Sequence, residues 1–348
     1  MAGTDFLVIG GGVIGLSSAL AIRASGASVT LIEAETIGAG ASWAGGGILS
    51  TLLPWDYAES VERLARNGAA RYAAFCEGLT QASGIDCEYR RSGMVVLGAD
   101  ETRANAWASR HDGRLETTRW LDGDVLLMPD VAQVRNPRLL AALRGAANAA
   151  GIAIVEHCRA QRFVTTGARA TALETRAGEF KAGSFVVALG AWTPTLSGAA
   201  VQIEPEKGQM LLYPAQTPLE RIIYRDGIYL IPRADGQILV GSTREYCGFD
   251  ASPTDAARQM LAQAAAELFP PLGALQPIRH WAGLRPTRPD NAPVIDALAP
   301  FKNVFINAGH GRYGLTMAPA AAEILLARIG LSDEEARLRD DYRWPNAN

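Results

Sequence analysis

Apolar positions near the N-terminus fall into two short runs with a helix-like stretch between them. Phe6 to Ile9 predicts a buried strand, Gly10 to Gly12 a turn, and Val13 to Ser25 a helix with small residues on one face. Gly26 ends that helix, and Ser28 to Ile32 predicts a second strand closed by Glu33. Strand, helix and strand in this order make one parallel βαβ unit.

Further along, the pattern alternates between helical and strand-like stretches. A loop rich in Gly, Ala and Ser runs from Gly38 to Gly47, and a helix is expected around Tyr57 to Ser83. Met94 to Leu97 reads as a strand, and residues 100–120 as exposed helix and loop. Pro137 to Ala150 predicts a second strong helix, ended by Gly151. Ile152 to Glu156, Arg162 to Thr165 and Thr171 to Thr175 are strand-like, and Phe185 to Leu189 is a buried parallel-type strand closed by Gly190. Residues 201–245 alternate in short β segments with turns at Asp226-Gly227 and Asp235-Gly236. Thr254 to Phe269 predicts a helix, Val304 to Ala308 a buried strand, and Ala318 to Ile329 a last helix entered through Gly309 to Gly314.

Nucleotide-type pieces therefore lie at 1–48, 136–195 and 280–348, and β-rich pieces at 49–135 and 196–279 form a second domain. The expected class is α/β (α+β, two domains): a Rossmann-like domain interleaved with a mainly antiparallel β-sheet domain. Hydrophobic residues at 48% and charged residues at 20% suit a globular chain with a large core. With 33 Lys plus Arg against 36 Asp plus Glu, the net charge of -3 argues against a nucleic-acid surface. Cys76, Cys87, Cys158 and Cys247 form no CxxC pair and have no histidine at zinc-site spacing, so no metal is expected and the thiols read as reduced. The apolar start has no Lys or Arg before Arg23, and glycines interrupt it, so neither a signal peptide nor a membrane span is expected. The location read from this is cytoplasmic. The sequence leaves a homo-oligomer open.

The first candidate chemistry is Gly10-x-Gly12-x-x-Gly15, lying between strand and helix. The first glycine permits the tight turn, the second lets backbone approach a pyrophosphate, and the third lets the helix pack closely on the strand. The helix N-terminus, at Val13 and Ile14, offers free N–H groups and partial positive charge to the anion. Glu33 ends the second strand, where a carboxylate accepts from ribose hydroxyls. No basic residue follows it directly, which disfavours a 2′-phosphate. The second glycine-rich loop, over 38–47, is more than a simple NAD dehydrogenase needs and points to a longer cofactor such as FAD.

Several segments together resemble the D-amino-acid oxidase superfamily of flavoproteins, and within it the bacterial glycine oxidases of thiamine biosynthesis. They are Gly10 to Glu33, Gly40-Ala41-Ser42-Trp43-Ala44-Gly45-Gly46-Gly47-Ile48, Val186 to Trp192, Pro205-Glu206-Lys207-Gly208-Gln209, Trp281-Ala282-Gly283-Leu284-Arg285-Pro286-Thr287, and Gly309-His310-Gly311-Arg312-Tyr313-Gly314-Leu315. The likeness spans almost the whole chain, and the Ala-Gly-Leu-Arg-Pro and Gly-His-x-Arg-x-Gly pair is its most specific part. It implies an FAD-binding domain over 1–48, 136–195 and 280–348 and a substrate-binding domain over 49–135 and 196–279. It implies cofactor contacts from Gly10, Gly12, Val13, Ile14, Gly15, Glu33, Ala41, Ser42, Gly45, Gly46, Gly47, Gly190, Trp192, Gly283, His310, Gly311, Arg312, Tyr313, Gly314, Leu315 and Thr316. It also implies hydride transfer from the Cα of a small amine or amino acid to flavin N5, giving the imine, with O2 reoxidising the flavin to yield H2O2.

Such a substrate needs a carboxylate anchor, and an arginine fork matches a carboxylate bidentately and stays charged. Arg285 matches the family's carboxylate-binding arginine; the alternative is a surface or inter-domain ion pair, against which Pro286 follows directly and an apolar strand precedes it, so the guanidinium leaves a strand end. Arg312 matches a second family arginine, which reads equally as support for the flavin. Tyr229 matches a tyrosine that assists carboxylate binding, or is simply packing on an alternating strand. Arg244 stands where glycine oxidases carry an apolar residue. Facing the pocket, it would select a substrate with a second acidic group; facing solvent, it would carry no meaning. The four histidines demand no catalytic role. Alternatives are a dehydrogenase of the same family passing electrons to a quinone or partner subunit, and a non-catalytic FAD-bearing subunit. No cysteine lies within Arg279 to Leu284, where some relatives attach flavin covalently, so a dissociable FAD is expected. Acid precipitation of the protein should leave the yellow colour in the supernatant; colour retained in the pellet would show a covalent bond.

Overall fold

The N-terminal unit folds as Thr4–Ile9, helix Val13–Ala24 and strand Val29–Ile32, with the two strands parallel and paired from Phe6↔Val29 to Ile9↔Ile32. The computed structural model describes residues 3–197, 201–214, 218–332 and 340–343. Thr4–Ile9 is the middle of a parallel core in which Ala153–Val155, Val29–Ile32, Thr4–Ile9, Gly178–Val187 and Val304–Ala308 lie side by side. Both faces of Thr4–Ile9 are covered. Phe6 and Val8 share a core with Leu16, Leu139 and Leu325 from three helices, while Leu7 and Ile9 pack with Leu173, Phe185 and Leu298. A continuous apolar run is what such two-sided burial requires.

Gly178–Val187 serves two partners along its length. Its first half pairs antiparallel with Arg169–Thr175, and its second half pairs parallel with both Thr4–Ile9 and Val304–Ala308. The expected strand began at Phe185 because only the C-terminal half is apolar on both faces.

The second sheet has eight strands in the order Arg279–Thr287, Glu204–Tyr213, Ile238–Gly241, Ile228–Pro232, Ile222–Arg225, Met94–Val96, Gly123–Met128 and Glu116–Trp120. One face packs on helix Asp255–Leu268 through Leu211, Leu230, Val240 and Leu261. Thr254 caps that helix, its side chain accepting from the Ala257 N–H. The opposite face, with Met210 and Tyr229, joins the main core.

Three expectations need correction. A boundary at 280 falls inside a strand: Arg279–Thr287 pairs along its length with Glu204–Tyr213, so the carrier of Arg285 belongs to the second sheet by hydrogen bonding. Of the expected range ending at 348, residues 333–339 and 344–348 lie outside the described residues. Residues 116–120 form a strand rather than loop, paired to Gly123–Met128 through a tight turn at Leu121. That strand lies at the sheet's edge with mostly exposed side chains, so no apolar alternation announced it.

The last helix runs Gly314–Arg328 and carries Pro319 in its interior, whereas it was expected only from Ala318. Proline has no N–H to donate to the carbonyl four residues back, that of Leu315. The Tyr72 hydroxyl, from helix Glu59–Ser83, donates to that carbonyl at 2.5 Å. The two helices touch closely here, since a Cβ on Gly68 would lie 2.1 Å from the Thr316 carbonyl oxygen. Tyr72 is fully buried, so its loss would leave a buried acceptor unmet. Tyr72→Phe should lower unfolding stability by about 1–2 kcal/mol, read as a shift of the urea midpoint with unchanged slope.

Candidate active site

A cavity of about 530 Å³ joins the two sheets. The nucleotide turn enters it first. Gly10 has φ +113°, and a Cβ there would meet the Ala188 carbonyl oxygen at 2.3 Å. A Cβ on Gly15 would lie 1.9 Å from the Gly10 carbonyl oxygen. Both positions therefore demand glycine for packing alone; Gly10, Gly12, Val13 and Ile14 line the cavity, and Gly15 does not. Glu33 lines the cavity, and its two carboxylate oxygens already accept from the Gly11 N–H (2.6 Å) and the Glu35 N–H (2.9 Å). Each oxygen retains a second lone pair for a hydroxyl.

The glycine-rich loop lies beside this turn. Ser42 Oγ accepts from the Val13 N–H at 3.0 Å, leaving its own hydroxyl proton free to donate. Asn136 donates to the Ser42 carbonyl at 2.7 Å. Arg233 is buried and donates to the carbonyls of Gly46 (2.8 Å) and Val134 (3.0 Å) and to Gln133 Oε1 (3.2 Å). Burial, with Arg135 nearby, pushes its guanidinium down to about 10, which still leaves it charged at neutral pH. Asn136 and Arg233 escaped the sequence reading because their role is to hold another segment's backbone, a role that leaves no local motif.

Ala41, Ser42, Gly45, Gly46, Gly47, Gly190, Trp192, Gly283, His310, Gly311, Arg312, Tyr313, Gly314 and Leu315 all line the same cavity. Thr316 does not; it is buried, and its hydroxyl donates to the Ile48 carbonyl. Seven buried side-chain polar atoms have no partner among the described residues, and three of them are Asn136 Oδ1, Asn307 Oδ1 and His310 Nε2. All three residues line the cavity, so a polar ligand along the wall would satisfy atoms the protein leaves unmet. With the anion-ready helix start and Glu33, this donor set fits a long dinucleotide such as FAD.

The other end of the cavity is built on one row of the second sheet. Met210 and Tyr229 are both register partners of Gly241, on the strands to either side of it. Gly241 leaves the gap in which they meet, since a Cβ there would lie 2.2 Å from Met210 Sδ. The Tyr229 hydroxyl donates weakly to that sulfur at 3.5 Å. Arg285, two residues beyond Gly283 on the neighbouring strand, reaches the same cavity. Its Nη1 donates to Glu206 Oε1 (2.8 Å) and the Thr243 carbonyl (3.2 Å), and its Nη2 to Ser242 Oγ (2.7 Å). Arg312 also lines the cavity and makes no side-chain hydrogen bond or ion pair among the described residues. Burial opposes its charge, but the hydroxyls of Tyr313, Tyr229 and Tyr57 outweigh that and hold its pKa above the usual range.

Arg244 lies apart from this wall. It is 51% exposed and donates to Glu206 Oε2. It does not face the cavity but is exposed, and its guanidinium meets the carboxylate that also pairs with Arg285. None of the four cysteines lines the cavity. The one cluster with metal-ligand reach among the described residues, Glu59, Glu62 and His111, has Arg66 against both carboxylates.

The family model for FAD dependent oxidoreductases matches residues 5–328. The chain belongs to that family. It is an FAD-binding enzyme of mixed α/β fold. It is similar to a glycine oxidase of Pseudomonas aeruginosa, 39% identical over 92% of this chain and 93% of that protein. It is also similar to a bifunctional protein ThiO/ThiG of Synechocystis sp., 32% identical over 92% of this chain and 51% of that protein. Among solved structures, a glycine oxidase from Geobacillus kaustophilus superposes with a TM-score of 0.92 at 24% identity, covering 99% of each chain. An iminodiacetate oxidase from Chelativorans sp. superposes at 0.86 and 23% identity, covering 97% of this chain and 98% of that one. At such identities these two structures speak to the fold. No helix among the described residues is long and apolar enough to cross a membrane.

His310 gives the site a pH dependence. Burial pushes its imidazole from 6.5 down to about 3. Above pH 6.5 the ring is neutral whether the chain is folded or not, and His310 has no effect. Below that, the unfolded chain takes up a proton that the folded chain refuses, so stability falls as pH drops toward 3. Urea unfolding of the apoprotein should show this loss between pH 6.5 and 4, and His310→Gln should flatten it. An unchanged slope in the variant would refute the assignment.

Proposed function

We propose that this FAD-dependent amino-acid oxidase converts glycine, or a small D-amino acid or secondary amine, to its imine, with O2 as electron acceptor and H2O2 as product. The observation that carries the reading is the presence of Arg285, Arg312 and Tyr229 on the wall of the same cavity that holds the nucleotide turn. The relatives named glycine oxidase support it, as does the ThiO/ThiG name for a connection with thiamine biosynthesis. Four unpaired cysteines support a reducing, cytoplasmic setting.

Bound FAD supplies a two-electron acceptor for the hydride leaving Cα. The chain's own residues fix where that Cα sits. Arg285 and Arg312 hold the substrate carboxylate, and the Tyr229 hydroxyl exchanges its weak contact with Met210 for a carboxylate oxygen. The amine reacts as the neutral base; its N–H proton leaves as the C=N bond forms, and water then hydrolyses the imine to the oxo acid and ammonia, or to the oxo acid and a primary amine where the substrate is a secondary amine. No acid–base pair is required of the protein, and neutral His310 offers none. Ser50, Leu52, Met210 and Tyr313 line the same cavity.

A panel of glycine, sarcosine and D-amino acids under air, read by peroxide formation, tests the reaction. Bleaching of the flavin without peroxide would exclude the oxidase. Arg285→Ala should raise KM for carboxylate substrates by roughly 10- to 100-fold while FAD stays bound, and an unchanged KM would exclude the anchor.

A further inference from the structure

One buried charge in the second sheet has no place in the reaction just described. Glu206 is 0% exposed at its side chain. It stands directly across from Arg285 in the antiparallel pair of Glu204–Tyr213 with Arg279–Thr287. Its Oε1 accepts from Arg285 Nη1 at 2.8 Å. Its Oε2 accepts from Arg244 Nε (3.0 Å), Arg244 Nη2 (2.8 Å) and the Tyr246 hydroxyl (3.1 Å). A buried carboxylate is tolerated when it is paired on both oxygens in this way. Burial would raise its pKa, yet the hydrogen bonds and charge of Arg244 and the charge of Arg285 outweigh it and hold the group below the usual carboxylate range.

Resting on the carboxylate-anchor reading, we infer that Glu206 is the positioning residue for Arg285, braced from behind by Arg244 and Tyr246. The cross-strand position alone does not aim a long arginine. Gly208, the next residue on the same face of the strand, provides the bed: a Cβ there would lie 2.0 Å from Arg285 Nη2. The guanidinium therefore lies across Gly208, with Nη1 held by Glu206 and the Thr243 carbonyl and Nη2 held by Ser242. A guanidinium has five N–H groups. Both Nη1 protons and one Nη2 proton are engaged by these partners, which leaves Nε–H and the other Nη2–H to meet a substrate carboxylate. Glu206 thus decides which edge of the fork is offered. It also lowers the charge of the anchor: Arg285, Glu206 and Arg244 together carry one net positive charge, and Arg312 supplies the cation with no acidic partner.

The test uses the FAD-loaded protein and acetate as a minimal carboxylate, with binding read from the change in flavin absorbance. Glu206→Gln should weaken acetate by about tenfold or more and raise substrate KM in parallel, with kcat moving far less. The double variant Glu206→Gln/Arg285→Ala should bind acetate as Arg285→Ala does, because a residue acting through another adds nothing once the other is gone. Acetate affinity within twofold of wild type in Glu206→Gln would overturn the inference. So would a double variant in which the two losses multiply, since that marks a general structural effect. If Arg285→Ala itself leaves acetate binding unchanged, the anchor reading has failed, and this inference fails with it. If Glu206→Gln does not retain FAD, Arg244→Gln takes its place, being half exposed, and should show a smaller loss of acetate affinity; wild-type affinity there would overturn the brace.

Discussion

The register between Glu204–Tyr213 and Arg279–Thr287 is the constraint on which the site depends. Nine pairs run from Glu204↔Thr287 to Leu212↔Arg279. Because side chains alternate between faces, a slip of one residue would send Arg285 to the side packed on helix Asp255–Leu268 and bring Leu284 to the cavity face. The two faces are chemically distinct enough to forbid that. On one, Glu206, Gly208 and Met210 meet Arg285, Gly283 and Trp281; on the other, Lys207 and Gln209 join Glu245, Thr254 and His280 in a polar network. The hydrogen-bonded neighbours on both faces therefore specify one register, and through it the direction of one guanidinium.

The parallel sheet solves a different problem. Its strands are apolar on both faces and its turns must hold an anionic cofactor, so its information sits in glycines rather than in charged side chains. Gly10 and Gly15 are fixed by contacts under 2.5 Å to an imaginary Cβ, before any ligand is considered. Arg233 links the two regions physically. It stands on the second sheet's side of the cavity, two residues past Ile231, and its hydrogen bonds end on the loop at Gly46 and on Val134. The glycine loop is thus held by a cation from the sheet that carries Tyr229.

What was legible in the sequence was whatever depends on local spacing. The turn from Gly10 to Gly15, the acid at Glu33 and the segments around Arg285 and Arg312 could be read because each motif is contiguous. The strand at Glu116–Trp120 could not, since an exposed edge strand needs no apolar alternation. Nor could the start of the last helix, where Gly314 and Pro319 both read as breakers. Glu206 was visible only as part of a resembling segment, and its meeting with Arg285 depends on a pairing between positions far apart in the chain. Arg244 was legible as a departure from the family pattern, yet its partner, the back of Glu206, belongs to tertiary structure alone.

Pro319 carries a consequence for how the chain comes together. The helix that follows Arg312 is unable to satisfy its own first turns, because the Leu315 carbonyl is met by a hydroxyl encoded 243 residues earlier. Such a helix has no full existence as a local structure; it is completed by the arrival of Glu59–Ser83. Its closure is a long-range event, of the kind that slows assembly relative to helices that need only themselves. The segment bearing Arg312 therefore takes its final shape only when early and late parts of the chain have already met.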